Sequence, residues 1–208
     1  RLENKFKVSN LKINSNTKVK NLNYLIKDYR FKEYFPDYDN SITLSDHSIQ
    51  ISIDKRKLNI KGSGNFSLAK EIDTIDYEIF SDKKNYKFKT NIDSTNISLI
   101  IPALDYSKKE NINSLLTLEG SLKKNQSIIF SNLLFKENNN YFQIKGLNLN
   151  KNYKITHIKK IDLNYINSNK KNNQIVLAKN KKNYQLSGKT FDAENLINKI
   201  LFSDEEGN

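Results

Sequence analysis

The chain has 208 residues, a mass of 24.3 kDa, a formal net charge of +12 and no Cys, Met or Trp. The lack of cysteine excludes a disulfide framework, a thiolate zinc site and a cysteine nucleophile. The charge invites a nucleic-acid function, but 32 of the 35 basic residues are Lys and only three are Arg. Arg is the residue that reads guanine edges and grips phosphate with two hydrogen bonds. The Lys, Asn and Ile excess is typical of an AT-rich genome, and we predict no nucleic-acid partner.

The first candidate element covers residues 21–35. Leu22, Leu25, Ile26 and Tyr29 fall at helical spacing, and the pattern stops before Pro36. These residues predict a short N-terminal helix. A strand fits the same stretch nearly as well, and the sequence leaves the two open.

Strict alternation of apolar and polar residues begins near Ile42 and continues to Leu186. In residues 86–92, for example, aromatic and aliphatic side chains alternate with lysines and an asparagine. Such segments have one apolar and one wet face, and polar clusters separate them about every 10–15 residues. The pattern predicts a mainly β protein: an antiparallel meander over residues 41–188 within one elongated unit, residues 1–202.

Glycine placement adds a prediction about shape. Four of the six glycines, Gly62, Gly120, Gly146 and Gly188, each end a phrase of alternating apolar and polar residues. Glycine inside a strand usually marks a bulge or bend. Four such bends would curve the sheet into an open, taco-like groove. Four ordinary strand ends are the alternative.

The last element is a predicted helix over residues 191–202. Asp192 can cap its N-terminus, and Leu196, Ile197, Ile200 and Leu201 form one apolar face. Residues 203–208 are acidic and are predicted to be a linker.

Catalytic patterns are scarce. The two histidines, His47 and His157, are 110 positions apart in strand-like sequence, and no phosphate-binding loop or nucleophile elbow occurs. We therefore predict that the chain is not an enzyme, binds no metal and needs no cofactor.

The strand–glycine phrases and the C-terminal phrase L-S-G-K-T-F-D-A-E-N-L-I, residues 186–197, resemble the bacterial AsmA-like envelope proteins near the YhdP and TamB group. The similarity covers the chain from about Leu44 to the C-terminal helix. It implies a long periplasmic β-groove of a Gram-negative cell, anchored in the inner membrane by a region outside this chain. The implied function is lipid transport, carrying phospholipids towards the outer membrane. The family offers no catalytic residues to transfer.

Phospholipid is thus the expected partner, with acyl chains lying on the alternating apolar positions. Equally, these positions could form a dry core. The candidate groove residues are Ile51, Ile53, Leu58, Ile60, Phe66, Leu68, Tyr77, Ile79, Phe88, Leu99, Ile101, Leu118, Phe142, Ile144, Leu163 and Tyr184.

Two rival hypotheses remain at this stage. The first is a structural or adhesive β-sandwich module of a bacterial envelope protein, with envelope partners that the sequence does not identify. The second is a basic single-strand binder, which needs lysines and aromatic residues on one face. Alternation places them on opposite faces and argues against it. The lysines of the wet face are instead predicted to hold that face near anionic lipid.

Overall fold

The computed structural model describes residues 12–26, 31–54, 57–68, 71–82, 85–123 and 127–202. The described ranges do not include residues 203–208, which are the predicted acidic linker, or the first eleven residues of the predicted unit. For Ile200, only the backbone is described.

The described residues form fourteen strands, two short α-helices and one 3-10 turn. Their bounds are β1 (Lys12–Leu25), α1 (Phe31–Tyr34), β2 (Ser41–Asp54), β3 (Lys57–Ser67), β4 (Asp73–Asp82), β5 (Asn85–Asp93), β6 (Leu99–Ile101), the 3-10 turn (Pro102–Leu104), β7 (Tyr106–Lys108), β8 (Ser114–Lys123), β9 (Ser127–Glu137), β10 (Asn140–Asn150), β11 (Ile155–His157), β12 (Lys160–Ile166), β13 (Asn172–Asn180), β14 (Asn183–Thr190) and α2 (Glu194–Phe202).

Twelve of these strands form one antiparallel sheet in the order β1-β2-β3-β4-β5-β8-β9-β10-β12-β13-β14, with β11 paired to β10. The order follows the chain except that β6 and β7 leave the sheet and pair with each other. Strands β1 and β14 are the two edges, and they do not pair with one another. The prediction of a mainly β, open antiparallel meander with a short C-terminal helix is therefore confirmed.

The two faces of the sheet differ as the alternation predicts. One row across neighbouring strands joins Leu116, Phe135, Phe142, Leu163 and Ile175, each the register partner of the next. On the opposite face, ion pairs run across strands. Lys61 lies 3.1 Å from Glu78, and Lys89 lies 3.0 Å from Glu119. One face of the sheet is therefore apolar, and the other is polar and exposed to water.

The sheet is strongly curved. Phe66 on β3 and Leu186 on β14 line the same cavity, although eight strand steps separate β3 from β14. A flat sheet would hold two such strands about 38 Å apart, at about 4.8 Å for each step. Only a curled sheet brings them to one cavity.

Three of the four predicted glycine bends coincide with irregular backbone. The register shifts beside Gly120 and opposite Gly188, and Gly146 has a φ of 62°, a conformation that glycine adopts readily. Gly62 differs, because it pairs regularly with Ile49 and Tyr77. The ring of Tyr77 lies directly over Gly62 in the space that a Cβ would occupy.

The predicted helix over residues 21–35 is largely wrong. Residues 12–25 form β1, which pairs with β2 through partners such as Leu22 with Leu44, and only Phe31–Tyr34 is helical. Leu22 and Tyr24 alternate with asparagines, and the edge of β2 offers backbone partners that override a weak helical pattern. The sheet consequently runs from residue 12 to residue 190, beyond the predicted 41–188.

A second correction concerns Leu99 and Ile101, which were predicted as positions of the meander. They lie in β6, which forms a two-stranded hairpin with β7 outside the large sheet. Residues 94–113 are thus an insertion between β5 and β8. They pack over the apolar face instead of extending it.

Candidate functional site

A cavity of about 660 Å³ lies between the apolar face of the sheet and the insertion. Among the described residues that line it, Ser94 is the only polar one. The lining residues are Phe35, Phe66, Leu68, Ile92, Ser94, Ile97, Leu99, Ile101, Leu104, Leu116, Leu133, Phe135, Phe142, Ile144, Ile161, Leu163, Ile175, Leu177, Leu186, Phe191 and Leu196. We call this part of the apolar face the covered half.

Tyr106 on β7 is the centre of the cover. It is 2% exposed, and its ring centroid lies 4.6 Å from that of Phe142, 5.9 Å from Tyr165 and 6.4 Å from Phe135. Rings at these distances and tilted angles pack favourably. The insertion is therefore fixed to the sheet through an aromatic cluster.

The hydroxyl of Tyr106 also holds the cover. It donates a 2.5 Å hydrogen bond to Oε2 of Glu137 on β9, and the side-chain amide of Asn140 donates to the same oxygen at 2.8 Å. Burial, together with the neighbouring Glu137 carboxylate, raises the pKa of Tyr106 far above its ordinary value. The phenol stays neutral and remains a hydrogen-bond donor.

Lys108, at the end of β7, is buried although it is charged. Its ammonium donates to the carbonyl oxygens of Ser94 (2.7 Å), Thr95 (3.0 Å), Ile97 (2.6 Å) and Lys109 (3.2 Å). Desolvation lowers the pKa of this lysine. The ammonium thus gathers the carbonyls of the loop around itself and fixes the start of the insertion to its end.

Two further contacts tie the insertion to the sheet. The backbone N–H of Asn96 donates to both oxygens of the buried Asp73 carboxylate, at 3.0 and 3.2 Å. The hydroxyls of Ser94 and Ser114 lie 2.8 Å apart. Burial raises the pKa of Asp73.

Both helices help to close the cavity of the covered half. The cavity is lined by Phe35, directly after α1, by Phe191, three residues before α2, and by Leu196 in the first turn of α2. The carboxylate of Asp192 accepts a hydrogen bond from Asn167 at 3.1 Å and pairs with Lys171 at 2.9 Å, which ties α2 to the β12–β13 turn. Of the predicted apolar face of α2, Leu196 is half-buried, whereas Ile197 and Leu201 are exposed.

Over β4, β5, β8 and β9, no segment in the described part of the chain covers the apolar face. It forms a groove of about 620 Å³ there, where the rings of Phe88 and Phe130 meet edge to face at 5.7 Å. We call it the open half. Its lining residues are Ile75, Tyr77, Ile79, Tyr86, Phe88, Thr90, Leu122, Ile128 and Phe130.

The sixteen predicted groove residues fall into three groups. Ten line one of the two spaces. In the covered half these are Phe66, Leu68, Leu99, Ile101, Phe142, Ile144 and Leu163, and in the open half they are Tyr77, Ile79 and Phe88.

Five of the others share the apolar face by register without lining either space. Leu118 pairs with Thr90 and Leu133, while Ile51, Ile53, Leu58 and Ile60 continue the face onto β2 and β3. Tyr184, near the start of edge strand β14, lies two residues from Leu186 and therefore on the same face, but it lines neither space and is 47% exposed. Its hydroxyl donates to the carbonyl of Ile158 at 3.1 Å.

Sequence reasoning missed Tyr106, Lys108 and Glu137. Each lies among polar residues in the sequence, and neither alternation nor a motif marks it. His47 is a packed residue: it is 1% exposed, stacks on Tyr77 at 6.1 Å and underlies Gly64.

The fold and the apolar face of the sheet define a structural class of protein, an open, curved antiparallel sheet whose concave face is apolar. No family model, no curated protein and no solved structure matches this chain. Within the described ranges, no helix is long and apolar enough to cross a membrane, and no three His, Asp or Glu side chains gather as a metal site would require.

Proposed function

We propose that this chain binds lipid on its apolar face and conducts phospholipids between the inner and outer membranes of a bacterial envelope, as a periplasmic AsmA-like segment. Attachment to the inner membrane would come from a region outside this chain. The proposed activity requires no catalytic residue and no cofactor.

The observation that carries the proposal is the apolar face with its two adjoining spaces. Their volumes, about 660 and 620 Å³, lie within the range of small-molecule sites, about 300–1,000 Å³. Each methylene buried there gains about 0.8 kcal/mol without a directional contact. An acyl chain can therefore bind anywhere along the face, which suits movement along a track.

The arrangement of the open half supports the same proposal. Ile79 and Phe88 are register partners whose side chains are only half-buried, and they line a groove that no described segment covers. A sheet with an apolar face must cover that face. Acyl chains would supply the cover while polar headgroups stay in water.

The test is lipid extraction from the purified protein, followed by mass spectrometry. We expect bound phospholipid in the native chain and a severalfold loss in the double variant Ile79→Asn/Phe88→Asn. Phe80→Asn is the matched control, because Phe80 neighbours Ile79 on β4 but lies on the polar face, paired with Asn59 and Lys87. It should keep its lipid.

Two results would refute lipid binding: no lipid in the native protein, or equal lipid in the groove and control variants.

The buried contacts of the insertion favour a second candidate, the structural β module of an envelope protein. That function predicts a dry covered half and no bound lipid.

A further inference from the structure

The meander places five turns at one end of the sheet. The turns β2–β3, β4–β5, β8–β9 and β13–β14 and the β10–β12 connection all lie there, at the mouth of the open half. This follows from the register pairs Lys12 with Asp54, Lys57 with Asp82, Asn85 with Lys123, Ser127 with Asn150 and Asn180 with Asn183.

Lysines crowd this end. The described residues there include ten lysines against three aspartates, Asp54, Asp82 and Asp162. Only Lys160 among the ten has a carboxylate partner within the described ranges, Asp162 at 2.6 Å. We call the ten lysines the basic rim: Lys12, Lys57, Lys123, Lys151, Lys154, Lys159, Lys160, Lys179, Lys181 and Lys182.

An apolar tip projects from the basic rim between β10 and β11. Tyr153 is 73% exposed and Ile155 is 61% exposed, and Lys151 and Lys154 flank them. Asn150 orders the turn, since its side-chain oxygen accepts from the N–H groups of Asn152 at 2.9 Å and Lys154 at 3.1 Å. The turn presents Tyr153 to solvent with a φ of 59°, which is unusual for tyrosine.

The tip is continuous with the open half. Ile155 pairs with Leu149, and Leu149 pairs with Ile128, which lines the open groove. Register partners share a face of the sheet, so Ile155 forms the lip of the groove. The exposed apolar residues and the lysines thus surround one mouth.

We propose that the basic rim and its tip dock this end of the protein on an anionic phospholipid bilayer. Lysines near such a surface are attracted to its negative potential. Tyrosine is favoured at the headgroup level, and an aliphatic side chain beside it reaches the acyl boundary. The inference rests on the proposed function in one respect: docking would set the open mouth against the bilayer from which lipid enters.

Nucleic acid fits the same surface less well. The ten lysines are point charges, and among the segments that join the strands at this end the sequence has a single arginine, Arg56, the residue type that grips phosphate in a bidentate fork. The exposed isoleucine also has no base edge or phosphate to recognise. An anionic bilayer can interact with both the lysines of the basic rim and the exposed apolar side chains of the tip.

The experiment is flotation of the purified chain with vesicles of phosphatidylcholine alone or mixed with phosphatidylglycerol. We expect binding only to the anionic vesicles, with a marked loss in high salt, where screening shortens the electrostatic range. The variant Lys151→Gln/Lys154→Gln/Lys181→Gln/Lys182→Gln should bind more than about 100-fold more weakly, at about fivefold for each lysine.

The matched control removes the same charge from exposed lysines outside the basic rim: Lys32→Gln/Lys109→Gln/Lys136→Gln/Lys170→Gln. It should bind almost as well as the native chain. Tyr153→Ser should weaken binding at every salt concentration, whereas Tyr24→Ser, at the other end of the sheet, should not.

Equal loss in the rim and control variants would overturn the proposal, because net charge alone would then explain binding. Binding to a single-stranded oligonucleotide without vesicle binding would overturn it in favour of nucleic acid.

Lipid extraction distinguishes a failure of vesicle docking from a failure of lipid binding in the groove. A rim variant that keeps its lipid but loses vesicle binding supports both. A native chain that floats but holds no lipid refutes the groove alone.

Discussion

The covered and open halves of the apolar face use the same alternation, yet their side chains have different surroundings. Phe135 and Phe142 in the covered half are 6% and 5% exposed, because Tyr106 packs on them. Phe88 and Phe130 in the open half have only each other and their strand neighbours, and they are half-buried. The 20-residue insertion, together with Phe35, Phe191 and Leu196, thus decides whether the same pattern becomes core or surface.

Charged residues follow the same division. The buried acidic and basic side chains of Lys108, Asp73 and Glu137 lie at the covered end, where each has hydrogen-bond partners. At the open end, most lysines have no carboxylate partner among the described residues. The charged side chains at the covered end hold the insertion in place, whereas the lysines at the open end are available for binding.

Truncating one aromatic ring in each half should separate the two most clearly. Phe142→Ala should lower the free energy of unfolding by about 4 kcal/mol, because it opens a cavity in a packed cluster. Phe88→Ala should cost about 1–2 kcal/mol, since its ring is already partly in water. Urea unfolding followed by circular dichroism measures both values.

Equal losses in the two variants would contradict the division into covered and open halves. Phe80→Ala on the polar face is a useful third variant, because Phe80 is 38% exposed and lies outside both spaces. We expect it to change stability by less than about 1 kcal/mol.

Removing the ammonium of Lys108 tests what holds the cover in place. Lys108→Met keeps most of the apolar stem but removes the ammonium from four carbonyls. Two of these, Ser94 and Thr95, still accept from backbone N–H groups. We expect a loss of about 3 kcal/mol, because buried acceptors lose a charged partner. Hydrogen exchange should speed up in residues 94–113 and remain unchanged in β4 and β5. Uniform acceleration across the sheet would show that Lys108 does not act locally.

The open half could be predicted from the sequence, and the covered half only in part. Tyr77, Ile79 and Phe88 alternate with polar residues on neighbouring strands, and local alternation suffices to place them on one face. Leu99 and Ile101 lie in an unbroken apolar run with Ile100, and such a run does not reveal which sheet a strand joins. Here the strand joins a hairpin that folds back over the face.

The polar contacts of the cover were beyond sequence reasoning for another reason. Lys108 lies next to another lysine and a glutamate in the sequence, which is the composition of a solvated turn. Its burial depends on carbonyls of residues 94–97, which only the folded insertion brings together. The stretch of residues 21–35, where helix and strand fitted the sequence almost equally well, is ambiguous for a similar reason: β2, the partner of β1, begins 16 residues after β1 ends.

Two tyrosines in the covered half provide the finest test of the cover, because their hydroxyl groups differ. The hydroxyl of Tyr106 donates to Glu137, whereas that of Tyr165 is buried with no hydrogen-bond partner among the described residues. Tyr106→Phe should cost about 2 kcal/mol, since it withdraws a donor from a buried carboxylate. Tyr165→Phe should instead raise stability by about 1 kcal/mol, because it removes an unsatisfied polar group.

The pH dependence of unfolding follows from the same two phenols. Burial raises the pKa of Tyr165 to about 12 and that of Tyr106 further still. An exposed tyrosine ionises near pH 10, so the unfolded chain loses its protons first as the pH rises. The free energy of unfolding should therefore fall above about pH 10. This fall should be shallower in Tyr165→Phe than in the native chain, as urea titrations at about pH 8 and about pH 11 would show. An identical slope in the two proteins would mean that Tyr165 ionises as freely in the folded chain as in water, and that the covered half is open to solvent.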